Sequence, residues 1–198
     1  MTLLPIDPKR TAVLSMDMQT AIVSIYTGDQ EGLTSRASAV LRRARARGLP
    51  VIHVQVGFRP GLPEVSSRNP LFGAIRNSPQ HQQLFQGDGG RIHPAVAPEA
   101  GDIVVTKHRI SAFTGTDLEM ILRSNEIETL VLFGIATSGV VLCTLLHASD
   151  ADYRLIVLSD CCADQDPGLH ASLLENLFPR RAAVMTAEEF LNLLPGQK

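Results

Sequence analysis

A carboxylate, an amine and a turn rich in hydroxyl groups each follow a run of apolar residues in this chain. Asp17 ends the run 11–17, Lys107 ends the run 103–107, and the turn 134–140 follows four large apolar residues. A carboxylate and an amine held close together perturb each other's pKa and can divide acid and base roles. The N–H groups at the start of a helix favour negative charge beside them. The three features predict acid–base chemistry on a small molecule, with a purely structural ion pair as the alternative.

The segments that would position these residues alternate between strand and helix patterns. Alternation without hairpin signals predicts a parallel sheet with helices on both faces. The fold class is therefore α/β, a three-layer α/β/α arrangement with a doubly wound six-stranded parallel sheet, in a single domain spanning residues 1–198. Right-handed crossovers bring the carboxyl ends of parallel strands to one edge, so Asp17, Lys107 and the turn should meet there. The predicted strands are 11–17, 51–56, 103–107, 129–133, 154–158 and 182–185.

The stretch 57–100 shows no strong periodic pattern and contains several Pro, Gly, Asn and Gln residues. A long irregular segment inside a compact domain is usually functional or takes part in assembly. We therefore expect this segment to contribute to the site or to reach a neighbouring subunit, and we expect a homo-oligomer, either a dimer or a tetramer.

Three sequence motifs resemble those of the isochorismatase-like hydrolases, a family that includes isochorismatases, nicotinamidases and N-carbamoyl amidohydrolases. The resemblance extends from about residue 10 to 192 and implies the family's Rossmann-like fold. In most members an Asp, a Lys and a Cys form a triad. The resemblance therefore implies that Asp17 is the acid or base and that Lys107 lowers the pKa of the nucleophile or of the acid. The motifs are VLSMDMQ at 13–19, VVTKHRISAF at 104–113 and GIATSGVVLCT at 134–144.

The resemblance also assigns roles to the backbone of the turn. Ile135 and Ala136 occupy the place of a non-proline cis peptide in the family. The backbone N–H groups of Ala136 and Val140 would form an oxyanion hole, which stabilises negative charge as it develops during the reaction.

The chain departs from the family at the position of the nucleophile, where the resemblance places Val140. Valine cannot attack a carbonyl, and three interpretations follow. The favoured one is hydrolysis of a small anionic molecule without a cysteine. True isochorismatases resemble this case because they have a small, non-nucleophilic residue at this position. They cleave a vinyl ether, and Asp17 would then be the proton donor. Alternatively, Cys143 is a relocated nucleophile, although it lies about 300° and 4.5 Å along a helix from Val140. The third interpretation is a homologue that binds a ligand and performs no chemistry.

Several further residues are candidates for contact with the substrate. Arg59 could bind a carboxylate through two hydrogen bonds, and loop phenylalanines could form pocket walls, although packing alone would also explain them. His53 is expected to be a structural core residue. The predicted substrate-binding residues are Gln19, Phe58, Arg59, Phe113, Thr137 and Ser138.

Composition limits the remaining classes of function. The 198 residues carry a net charge of −2, which favours neither nucleic acid nor an anionic membrane surface. No apolar run is long enough to cross a membrane. Three cysteines, an odd number, form neither a disulfide framework nor a metal-binding pattern. We therefore expect a cytoplasmic protein that acts on a small-molecule substrate without a metal or another cofactor.

Overall fold

The structure, a computed structural model, describes residues 6–194. Its centre is a parallel sheet of six strands in the order β3-β2-β1-β4-β5-β6. The strand order reverses between β1 and β4, as in a doubly wound fold. The strands are β1 (Thr11–Met16), β2 (Val51–Val56), β3 (Ile103–Lys107), β4 (Thr129–Ile135), β5 (Arg154–Ala163) and β6 (Ala183–Met185).

Helices cover both faces of the sheet and complete three layers. The apolar face of α2 packs on β1, β2 and β5, and α8 packs beside α2. No helix in residues 6–194 is long and apolar enough to span a membrane. The helices are α1 (Thr20–Tyr26), α2 (Gln30–Ala46), α3 (Pro70–Arg76), α4 (Pro79–Gln83), α5 (Leu118–Ser124), α6 (Leu142–Asp150), α7 (Pro167–Ser172) and α8 (Ala187–Leu193).

The two central strands form the core of the molecule. Every residue of β1 is buried, and β4 is buried from Leu130 to Ile135, because helices cover both of their faces. Gly134 allows the ends of these strands to approach each other. Its φ is 144°, and a Cβ at this position would lie 2.0 Å from the carbonyl oxygen of Met16. Only glycine fits here, so the turn after β4 lies directly beside the end of β1.

The segment 57–100, which shows no strong periodic pattern in the sequence, is partly helical in the structure. It contains the two short helices α3 and α4 and a turn of 3₁₀ helix at Pro94–Val96. Asn69 and Ser78 cap α3 and α4, accepting hydrogen bonds from backbone N–H groups, and a proline opens each helix. Both helices are shorter than two full turns, which is too short to produce a clear apolar period.

Candidate active site

Asp17 and Lys107 form a buried ion pair at the carboxyl edge of the sheet. Their side chains reach the same point from β1 and β3, and the Lys107 Nζ lies 2.8 Å from the Asp17 Oδ2. The residues are only 5% and 2% exposed. Lys107 also donates a hydrogen bond of 3.1 Å to the carbonyl of Arg109. Asp17 has a φ of 53°, a left-handed conformation that non-glycine residues rarely adopt and that is concentrated at functional sites.

The second oxygen of this carboxylate differs from the first. The Asp17 Oδ1 is buried and has no hydrogen-bond partner among the described residues. Burial raises the pKa of Asp17, and the neighbouring charge and hydrogen bond of Lys107 lower it by less, so the net pKa is above its ordinary value. Lys107 therefore binds one carboxylate oxygen, and the other oxygen is buried without a hydrogen bond on a residue that lines a cavity.

The turn after β4 forms the adjacent wall. The peptide bond between Ile135 and Ala136 is cis. Beyond it, the Ser138 N–H donates to the Asp164 Oδ2 at 2.7 Å. Thr137 donates to the Ala163 carbonyl at 3.2 Å and shares a hydrogen bond of 2.8 Å with a histidine of α7. These contacts hold the turn from the side of β5 and α7 and leave Ala136, Gly139 and Val140 facing a cavity.

That cavity has a volume of about 390 Å³, which is suited to a small molecule. Asp17 and Lys107 lie on its lining together with the turn after β4. Helices α1, α3 and α4 supply most of the remaining wall. The cavity therefore lies where the strand order reverses, the position at which open α/β sheets bind their ligands. Within residues 6–194 there is no cluster of three or more His, Cys, Asp or Glu side chains that could hold a metal ion.

Residues 11–189 match the protein family described as the isochorismatase domain. The chain belongs to the isochorismatase family. A solved isochorismatase family protein from Burkholderia thailandensis superposes with a TM-score of 0.83 at 29% identity, covering 97% of this chain and 99% of that one. The family resemblance and the α/β fold expected from the sequence are thus confirmed.

Two relatives within the isochorismatase family have names that state an activity. The ureidoacrylate amidohydrolase RutB of Methylobacterium radiotolerans is 33% identical, over 87% of this chain and 74% of its own length. The maleamate amidohydrolase of Pseudomonas putida is 25% identical, over 94% of this chain and 87% of its own length. Members of the isochorismatase family are hydrolases, and the chain is similar to relatives that act as amidohydrolases.

Three of the residues predicted to contact the substrate hold the isochorismatase-family site together. Gln19 is buried, and its side-chain amide bonds to both backbone groups of Val56 and to the carbonyl of Gly90. Thr137 and Ser138 fasten the turn to β5 and α7, and neither residue lies on the cavity wall. Hydrogen bonds occupy the Gln19 amide, the Thr137 hydroxyl and the Ser138 backbone N–H, and direct contact of these three residues with a substrate stays a prediction.

The predicted aromatic and arginine residues also lie elsewhere. Phe113 is buried and stacks on the ring of His147, with 4.4 Å between ring centroids, so it is a core residue. Phe58 and Arg59 line a neighbouring hollow of about 290 Å³, which Ile75 and Phe85 border on the side of the main cavity. Phe58, Arg59 and Phe113 thus lie off the lining of the main cavity, and their contact with a substrate stays a prediction.

Cys143 lies in the first turn of α6 and is not on the cavity wall. Burial raises the pKa of its thiol, and the charge of Lys107 lowers that pKa by less. A thiol with a raised pKa is a poor nucleophile at neutral pH. The geometry therefore gives no support to Cys143 as a relocated nucleophile.

Sequence reasoning missed the polar residues that line the rest of the cavity. Tyr26 extends from α1, His81 from α4 and Gln165 from the loop after β5. Burial raises the pKa of Tyr26, and the negative charges of Asp164 and Asp17 raise it further, so the phenol stays neutral and able to donate. No sequence motif marks these three side chains, and they come from three separate parts of the chain.

Proposed function

We propose that this protein hydrolyses a small molecule in the Asp17–Lys107 cavity, with water in place of a cysteine thiol as the nucleophile. The observation that supports it is the buried Asp17 carboxyl, with one oxygen bound to Lys107 and the other without a partner. A carboxyl group with a raised pKa retains a proton to higher pH and can donate it to a substrate. The resemblance places Val140 where a nucleophile would stand, and Val140 lines the cavity.

A vinyl ether is a substrate that a proton donor can cleave without a protein nucleophile. Asp17 transfers its proton to the terminal enol carbon, and the electron pair of the double bond forms the new C–H bond. The ether carbon becomes an oxocarbenium ion, to which water adds. The added water returns a proton to the Asp17 carboxylate, which leaves a hemiketal. The hydroxyl proton of the hemiketal passes to the ether oxygen as the C–O bond breaks, which yields a ketone and an alcohol. Lys107 stabilises the Asp17 carboxylate left by the first step, because its ammonium lies 2.8 Å away.

The substrate proposed from the sequence is anionic. The names of the two amidohydrolase relatives support this, since maleamate and ureidoacrylate are carboxylates. In this cavity Lys107, His81 and the amide of Gln165 are the groups that could meet a carboxylate. The same relatives favour a second candidate, cleavage of an amide bond by water that Asp17 activates as a base.

The pH dependence of turnover separates the two candidates. We would measure kcat/KM between pH 4 and pH 9 on a panel of vinyl ethers, carboxamides and N-carbamoyl compounds. If Asp17 is the proton donor, kcat/KM falls as the pH rises through its raised pKa. If Asp17 is the base that activates water, kcat/KM rises through the same range. Absence of turnover combined with a raised melting temperature in the presence of a small acid would contradict both and favour a binding protein.

A further inference from the structure

We infer that the substrate carries an apolar body, an aryl or branched alkyl group, on the side opposite its reacting bond. This inference rests on the proposed function, because it describes what else the Asp17–Lys107 cavity must hold. It begins from the asymmetry of the wall. Only five residues on the cavity lining have polar side chains, counted within residues 6–194: Asp17, Tyr26, His81, Lys107 and Gln165.

The apolar side of the wall comes from helices that are far apart in the sequence. Helix α1 supplies Ile22 and Ile25, and the α3–α4 segment supplies Leu71, Phe72 and Phe85. Two of these large side chains are unusually open to water, Leu71 at 55% exposure and Ile25 at 43%. Exposed apolar side chains that border a concave site mark it as a place where apolar ligand surface is buried.

The electrostatics of the base of the cavity support the same conclusion. The Lys107 ammonium and the Asp17 carboxyl lie 2.8 Å apart, so both groups occupy a single point of the cavity wall. Two arginines near this edge point away from the cavity lining: Arg109 donates to the carbonyls of His108 and Glu64, and Arg59 lines the neighbouring hollow. The described residues therefore concentrate charge at one point of the cavity. A ligand gains binding energy over the rest of its surface by apolar contact.

A matched pair of ligands tests this inference directly. Cyclohexanecarboxamide and tetrahydropyran-4-carboxamide have the same shape and head group, and they differ by one ring oxygen in place of a methylene. Buried apolar surface gains about four-fold in affinity for each methylene. We expect the cyclohexane compound to bind the wild-type protein at least four-fold more tightly, measured as Kd by ligand-observed NMR. Equal affinities, or tighter binding of the tetrahydropyran, would overturn the inference.

Two variants test whether the exposed apolar side chains of the wall contact the ligand. Leu71→Asn and Ile25→Asn change exposed positions, so the fold should tolerate them, and circular dichroism and melting temperature verify this. Each should weaken binding of cyclohexanecarboxamide about ten-fold and change that of propanamide less than two-fold. The matched control is Leu193→Asn, a residue of α8 with 40% exposure that lies off the cavity. Equal losses for both ligands, or loss in the control alone, would overturn the inference.

The same samples distinguish failure of this inference from failure of the proposed function. Preference for the apolar ligand without turnover of any panel compound would support the apolar subsite and contradict hydrolysis. Turnover that depends on Asp17 but shows no preference for apolar substituents would support hydrolysis and overturn the subsite.

Discussion

Two buried carboxylates lie at opposite edges of the sheet and differ in how completely they are hydrogen-bonded. Asp102 precedes β3 at the amino edge and receives three partners: Arg45 through two nitrogens, the backbone N–H of Glu99 at 2.8 Å and His53 at 3.2 Å. Asp17 follows β1 at the carboxyl edge and has one side-chain partner, Lys107. Asp102 is enclosed by protein, whereas Asp17 lines a cavity.

The comparison shows why residue type alone does not identify a site. Burial raises the pKa of both carboxyl groups. At Asp102 the hydrogen bonds and charge of Arg45 and the Glu99 N–H outweigh burial, so its pKa is lowered. At Asp17 burial prevails and the pKa is raised. A carboxylate that is fully hydrogen-bonded stabilises the fold, while one with a free oxygen beside a cavity can exchange a proton with a ligand.

The largest expected difference between the two carboxylates is in activity. Asp17→Asn removes the proposed proton donor, and general acid–base catalysis contributes about 10²- to 10⁴-fold, so kcat/KM should fall by that factor. Asp102→Asn should leave kcat/KM within about three-fold, because Asp102 does not reach the cavity. Steady-state kinetics on the best panel substrate measures both.

Thermal melts and circular dichroism must show that both variants are folded at the assay temperature. A folded Asp17→Asn protein with wild-type kcat/KM would remove Asp17 from the mechanism. A large loss confined to Asp102→Asn would reverse the assignment of the two sites.

The second difference is in stability and its dependence on pH. Asp102→Asn leaves Arg45 and His53 without their shared charged partner. Arg45 keeps Glu99 as a partner at 2.6 Å, so we expect a loss of about 1 to 3 kcal/mol at pH 7, the cost of leaving buried donors without their acceptor. The folded pKa of Asp102 is lowered. Its contribution is therefore complete above the ordinary value of 3.8 and is lost as the pH falls through the lowered value.

Asp17 should show the opposite sign. Its folded pKa is raised, so ionisation costs the folded state stability as the pH rises from 3.8 through the raised value. The unfolding free energy of Asp17→Asn relative to wild type should therefore increase with pH over that interval. Urea titrations between pH 3 and pH 8 give both difference curves. Curves of the same slope would contradict the distinction drawn between the two carboxylates.

The sequence predicted the edge of the sheet better than the walls of the cavity. Asp17 and Lys107 could be placed together because parallel strands with right-handed crossovers align their carboxyl ends, a constraint that acts over the whole fold. Strands β2 and β3 have the predicted bounds. Strands β4 and β5 extend beyond the predicted ends because Gly134 and Asp160 interrupt the apolar runs without ending the pairing.

Contacts made by loops could not be predicted in the same way. Gln19 is among the residues predicted to contact the substrate, but its side-chain amide donates to the carbonyl of Gly90, 71 positions along the chain. Phe113 was read as a pocket wall, but it stacks on His147 of α6. Both outcomes depend on partners about 30 to 70 residues away whose path no local pattern specifies. His53 was interpreted as a core residue, and the structure buries it against Asp102.

The smallest expected effect tests whether the chemistry at the carboxyl edge of the sheet needs the thiol of Cys143 besides the Asp17–Lys107 pair. Cys143→Ser should keep kcat/KM within two-fold, because the thiol is off the cavity wall and burial raises its pKa above the ordinary 9.0. At pH 7 less than about one thiol in a hundred would then be a nucleophilic thiolate. Iodoacetamide labelling of the folded protein, followed by mass spectrometry, should leave Cys143 unmodified under conditions that alkylate free cysteine. Rapid alkylation of Cys143, accompanied by loss of turnover that Cys143→Ser reproduces, would restore the cysteine mechanism and reduce Asp17 to its base.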